Sequence, residues 1–159
     1  MLDRNLKVLF AALLGLMSLI YVAQDLINLE QSYATFGYVL GLVDHKAFPT
    51  NLLPALGPPF VQIAAWMTFI AEAATGVILL LGAWRLWAAR KDAVTFQAAT
   101  GTAKLGAAAA IFTWFGMFCV GGGAAFNMWQ TQLGSGSMND AFKFSVWGFF
   151  LLLYLNQKE

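Results

Sequence analysis

Residues 60–84 read FVQIAAWMTFIAEAATGVILLLGAW, a run without Lys, Arg or Asp and with a single Glu, Glu72. A helix needs about 20 mainly apolar residues to cross the hydrocarbon core of a bilayer, and this stretch supplies them. It opens just after Pro58-Pro59, the helix-starting position where proline sacrifices no hydrogen bond. Working outward gives three more runs: about 6–27 before it, then about 96–120 and 140–155 after it. The third run is expected to end at Gly121-Gly122-Gly123. The fourth is the shortest and starts with polar Asp140 and Lys143. The expected fold is all-α: a polytopic membrane protein, one four-transmembrane-helix bundle over residues 1–159, with structured outer loops.

Composition agrees. Hydrophobic residues make up 60% of the chain and charged ones 11%, where a soluble domain carries about 25% charged residues. A net charge of +1 excludes a nucleic-acid-binding face, which must be basic. The single cysteine, Cys119, has no partner for an intramolecular disulfide, and no Cys/His spacing suggests a metal site. No cofactor or metal is expected. Arg4 and Lys7 precede an apolar run as in a secretory signal, but the run is a full span long and no A-x-A-like site follows. It reads as an uncleaved first helix.

Positive residues set orientation. Arg4, Lys7, Arg85, Arg90, Lys91 and Lys158 fall on one side, against Lys46 and Lys143 on the other. Both termini and the 85–95 loop are therefore expected in the cytoplasm, with the 28–59 and 121–139 segments outside. Trp84 and Trp87 fit an inner aromatic belt and Trp129 an outer one. The first outer segment is itself apolar (Tyr33, Phe36, Tyr38, Val39, Leu40, Leu42, Phe48) and predicts a short helix in the interface or packed across the helix ends.

Several of these residues carry a resemblance. Phe48-Pro49-x-Asn51, Trp66, Glu72, Ala103-Lys104, Gly122-Gly123-x-x-Phe126-x-Met128-Trp129-Gln130 and Leu155-Asn156-Gln157 resemble a bacterial family of predicted small integral membrane proteins, domain of unknown function 2165, over nearly the whole chain. The sequence departs from that pattern at Ala124-Ala125, where an acidic and an aromatic residue are usual, and at Leu133-Gly134, where an aromatic–Asn pair is usual. The resemblance implies a multi-pass protein of the bacterial inner membrane. It implies no activity.

Glu72 is the sharpest feature. A lipid-facing carboxylate at that depth costs on the order of 3 kcal/mol or more, so it faces the interior, holds a proton or is paired. Lys104 is the expected partner. Counted from the inner ends of the two runs, Glu72 lies about 18 Å and Lys104 about 12 Å deep at roughly 1.5 Å per residue, a gap that a lysine side chain closes. Such a pair is either an interhelical clamp or part of a proton or ion relay. Asp25, Gln62, Asp140 and Lys143 lie near the outer helix ends and are candidates to line a vestibule above Glu72, or simply to cap those ends. Phe126, Met128, Trp129 and Gln130 are the candidate outer-loop interaction residues.

Other features carry less. The small residues of the second and third runs, including Gly106 and Ala110 four apart, allow close helix contact within the bundle or between copies. The glycine run lacks the Lys and Ser/Thr of a phosphate loop and is expected to let the chain turn sharply. His45, the only histidine, rules out bis-histidine haem within one chain. Ser135, Ser137 and Thr131 have no adjacent base, so the reading leans away from an enzyme. Three functions stay open: a non-catalytic accessory subunit docking other membrane proteins or a second copy, a small oligomeric transporter or channel using Glu72, and a quinone- or lipid-binding protein. The partner common to all three is the lipid bilayer.

Overall fold

The computed structural model describes residues 1–157, so Lys158, one of the charges expected on the inner side, lies outside the described residues. The described chain is helical: α1 (Leu2–Ile27), α2 (Leu29–Leu40), α3 (Pro58–Ala89), α4 (Ala93–Ile111) with a π-helical continuation (Phe112–Ala125), a 3₁₀ turn (Met128–Gln130) and α5 (Gln132–Asn156). Three helices are long and apolar enough to cross a membrane: α1, α3, and α4 with its continuation. Helix α5 has 25 residues but carries Asn139, Asp140 and Lys143 in its first half.

The four long helices alternate in direction. At one end of the bundle, the termini end, Arg4 donates to the Arg90 carbonyl (2.9 Å) and Lys7 to the Gln157 carbonyl (2.9 Å). Tyr154 donates to Asp3 there. At the opposite, loop end, the Phe48 amide donates to Gln130 Oε1 (2.8 Å), and Asn127 donates to Asn51 Oδ1 (2.6 Å). These contacts join segments 76 to 151 residues apart.

Helix α3 is the central element, and glycines let its neighbours approach. A Cβ on Gly15 of α1 would stand 3.1 Å from the Gly76 carbonyl oxygen, and one on Gly82 would come within 2.6 Å of the Ala103 Cα on α4. Between helices in lipid, such close van der Waals contact replaces the hydrophobic drive that water would supply. The second and third runs do meet closely, but through Gly82–Ala103 and Gly106–Leu79, whereas Gly76 packs on Leu19 of α1. Ala107 and Ala110 serve a different neighbour, lying against Gly148 of α5. Around these contacts, Leu79, Leu86, Phe96, Trp114 and Leu155 are fully buried.

Three boundaries differ from the sequence reading. The third helix does not end at Gly121. It runs through the glycines to Ala125, and the reversal falls at Asn127, whose φ of 51° is left-handed. Asparagine tolerates that conformation. The glycines instead make room for thioethers: a Cβ on Gly122 or Gly123 would meet the sulfur of Met128 or Met138 at 2.4 or 2.7 Å. Helix α5 starts at Gln132, well before Asp140, because Thr131 caps it by accepting from the Gly134 amide (3.1 Å). The turn between α3 and α4 is only residues 90–92. Asp92 accepts from the Thr95 amide (2.9 Å), a bond that holds its carboxyl below the usual aspartate range. The expected short helix is α2, packed on α3 through Phe36, Val39 and Leu40 against Val61 and Phe69.

Candidate functional site: a cavity one turn from Glu72

Glu72 faces the bundle interior and is 3% exposed. Its backbone carbonyl accepts from Ser18 on α1 (2.7 Å), which ties α1 to α3 at that level. Trp114, on the π-helical segment, is buried beside its carboxyl group. One turn toward the termini end, Thr75 and Thr113 share a hydrogen bond (3.2 Å). The second carboxyl oxygen, Oε2, is buried without a hydrogen-bond partner, and the charged group acting on Glu72 through space is another acid, Asp25.

Lys104 is not beside Glu72, and neither residue enters an ion pair among the described residues. The physical reason is register. The three-residue turn at 90–92 pairs Gly82 with Ala103 and Leu79 with Gly106, so Thr113 and Trp114 come opposite Thr75 and Glu72. Lys104 sits about nine residues further along, roughly 13 Å toward the termini end. Depths counted from the edges of the apolar runs missed this register.

The residues expected to form a vestibule do not converge on one space. Asp25 is half-buried and accepts from Ser32 (3.2 Å). Gln62 is exposed. Asp140 and Lys143 are exposed and pair with each other at 2.9 Å. None of the four lines the cavity that the loop end does contain.

That cavity, of about 260 Å³, lies between α2, α3 and the π-helical segment. Its wall includes Phe36, Met67, Thr68, Met117, Phe118, Phe126 and Met128, with hydroxyls from Thr35, Thr68 and Ser137 and no charged side chain. Thr68 is four residues before Glu72 on α3, and Phe118 four residues after Trp114 on the π-helical segment. The Glu72–Trp114 pair therefore lies about one turn from the cavity wall, on its termini side. A second, larger groove of about 660 Å³ runs between α1 and α5, lined by Phe10, Leu13, Met17, Trp147, Phe150 and Tyr154.

The outer-loop candidates split. Phe126 and Met128 line the cavity, and Met128 is 3% exposed. Trp129 packs edge-on against Phe48, ring centroids 5.2 Å apart, and Gln130 accepts from the Phe48 amide. The two stretches that carry the resemblance at 48–51 and 122–130 thus clamp each other. Trp66, from the same set, donates its indole N–H to Tyr33 (2.8 Å) and packs edge-to-face with Phe69.

Two residues were missed or undervalued in the sequence. Lys7, read only as an inner charge, is 1% exposed, sits 3.0 Å from Asp3 and lies over the Tyr154 ring. The four-residue Asp3–Lys7 spacing was the available signal. His45 has both ring nitrogens covered and unpartnered, and burial pushes its imidazole below the ordinary histidine range. Among the described residues there is no group of three or more potential metal ligands.

Comparison with curated proteins and with solved structures returns no match. A family pattern covers residues 3–158, and on that evidence the chain belongs to the family described as predicted small integral membrane protein (DUF2165).

Proposed function

We propose that this integral membrane protein binds a small apolar or amphiphilic molecule, drawn from the bilayer, in the cavity between α2, α3 and the π-helical segment. The observation that carries the reading is the cavity itself. An apolar void of about 150 Å³ already takes up benzene, and this one is larger, at about 260 Å³. Its methionines adapt to varied shapes. A docking role for an accessory subunit has less support, because Phe126, Met128 and Gln130 are occupied with the chain's own loop and cavity. A channel needs a continuous polar path, and the cavity wall holds three hydroxyl residues and no charge.

In this reading all four long helices cross the inner membrane of a bacterial cell, with both termini in the cytoplasm. The alternating directions support a crossing by α5, whose 25 residues span about 37 Å, more than the hydrocarbon core. Arg4, Lys7, Arg85, Arg90 and Lys91 lie toward the termini end, as the positive-inside bias requires.

Photolabelling tests the binding. A diazirine-bearing dodecanol, added to the protein in lipid nanodiscs, is expected to label Met117, Phe118 or Met128. Ala64 lines the cavity, so Ala64→Phe fills it and should cut that labelling about 10-fold. Labelling confined to lipid-facing residues, or unchanged in the variant, would sink the proposal.

A further inference from the structure

We infer that the cavity selects a cationic amphiphile, an alkylated ammonium carrying one hydrocarbon chain. The inference rests on the cavity's being a binding site and names its ligand class. Three observations support it. Phe36, Phe118 and Phe126 all line the cavity, and aromatic faces attract alkylammonium cations through the ring quadrupole, a contact known from aromatic cages. Beyond them, one turn from the cavity wall, Glu72 keeps one carboxyl oxygen buried and unpartnered. No lysine or arginine neutralises this region.

The charges of the loop half make the last point concrete. Its two lysines are each occupied by a nearby acid: Lys46 with Asp44 (3.8 Å) and Lys143 with Asp140 (2.9 Å). That leaves Asp25, Glu30 and Glu72 without a cation among the described residues. An anionic head would find no positive partner in the wall and another acid, Glu72, one turn further in. A neutral head would find only hydroxyls. An ammonium head finds aromatic rings in the wall and a carboxyl group one turn further in. A carboxyl group at that depth ionises only at a cost, and an ammonium head beside it offsets that cost.

Competition against the diazirine-bearing dodecanol separates this inference from the reading beneath it. Dodecyltrimethylammonium, unlabelled dodecanol and dodecanoate compete for labelling of the cavity residues. The wild-type protein is expected to favour the ammonium over dodecanol by about 10-fold, equivalent to about 1.4 kcal/mol, and to disfavour dodecanoate. In Glu72→Gln the ammonium preference should fall to about 2-fold or less, while dodecanol competes as before, which also shows that the variant is folded. Asp25→Asn gives a second reading with a smaller loss of preference and serves if Glu72→Gln does not fold. Equal competition by all three ligands in the wild-type protein, or an ammonium preference that survives both substitutions, overturns the inference and leaves the cavity's binding role standing. Absence of cavity labelling altogether overturns both.

Discussion

At the scale of single residues, a buried polar atom without a partner indicates what the surrounding fold permits. Glu72 was legible in the sequence because one acid stands in an otherwise apolar run. Its neighbours were not legible, because they depend on a helix register set at the distant 90–92 turn. His45 makes a comparable point at the loop end, where its covered ring nitrogens lack hydrogen bonds. Its folded-state pKa lies below the unfolded value of about 6.5. As pH falls, the unfolded chain therefore takes up the proton first. The stability contributed by neutral His45 is fully present above about pH 6.5 and declines as pH drops toward the folded value. The wild-type protein should lose more melting temperature between pH 7.5 and 5.5 than His45→Gln does. Identical losses in thermal melts of the two proteins would show that His45 is not coupled to folding.

At the scale of elements, the apolar runs identified the long helices but not how they end or what they touch. Side-chain pattern does not reveal a change from α to π hydrogen bonding. A glycine run also reads as a break unless one knows that Met128 and Met138 fill its missing side chains. The GSGSMND stretch likewise reads as loop, although the Thr131 cap and the packing of α5 make it helix. The cavity was the least legible feature, since its wall combines residues from five helical elements spread from Thr35 to Ser137. Helix contact does yield a sharp expectation. Gly82 lies against the α4 backbone, whereas Gly101 has nothing within 4 Å of an added Cβ. Gly82→Leu should force α3 and α4 apart and cost about 3 kcal/mol or more. Gly101→Ala should stabilise by about 0.5–1 kcal/mol by restricting the unfolded chain. Thermal denaturation in one detergent compares them directly. Equal shifts would mean that the close α3–α4 approach does not support the fold.

At the scale of the whole molecule, charge and topology make the same argument from independent sources. The hydrogen bonds of Arg4 and Lys7 bring the first turn of α1, the 90–92 turn and the end of α5 to one end. That end also gathers Arg85, Arg90 and Lys91, while the loop end holds most of the acids. If α5 failed to cross, its polar first half and its Gln157 end would lie on the same side of the bilayer. In the proposed four-crossing topology, the Phe48–Gln130 bond and the Lys7–Gln157 bond lie on opposite sides of the bilayer. Cysteine accessibility decides the matter. In a Cys119→Ala background, Leu52→Cys and Gln132→Cys should react with an impermeant maleimide added to intact cells. Lys91→Cys and Gln157→Cys should react only after the membrane is opened. All four positions are exposed, so failure to label reports the membrane rather than burial. If Gln132→Cys and Gln157→Cys label from the same side, α5 does not cross and the four-helix topology is wrong. If all four labels reverse sides, the crossings stand and the positive-inside reading of this chain fails.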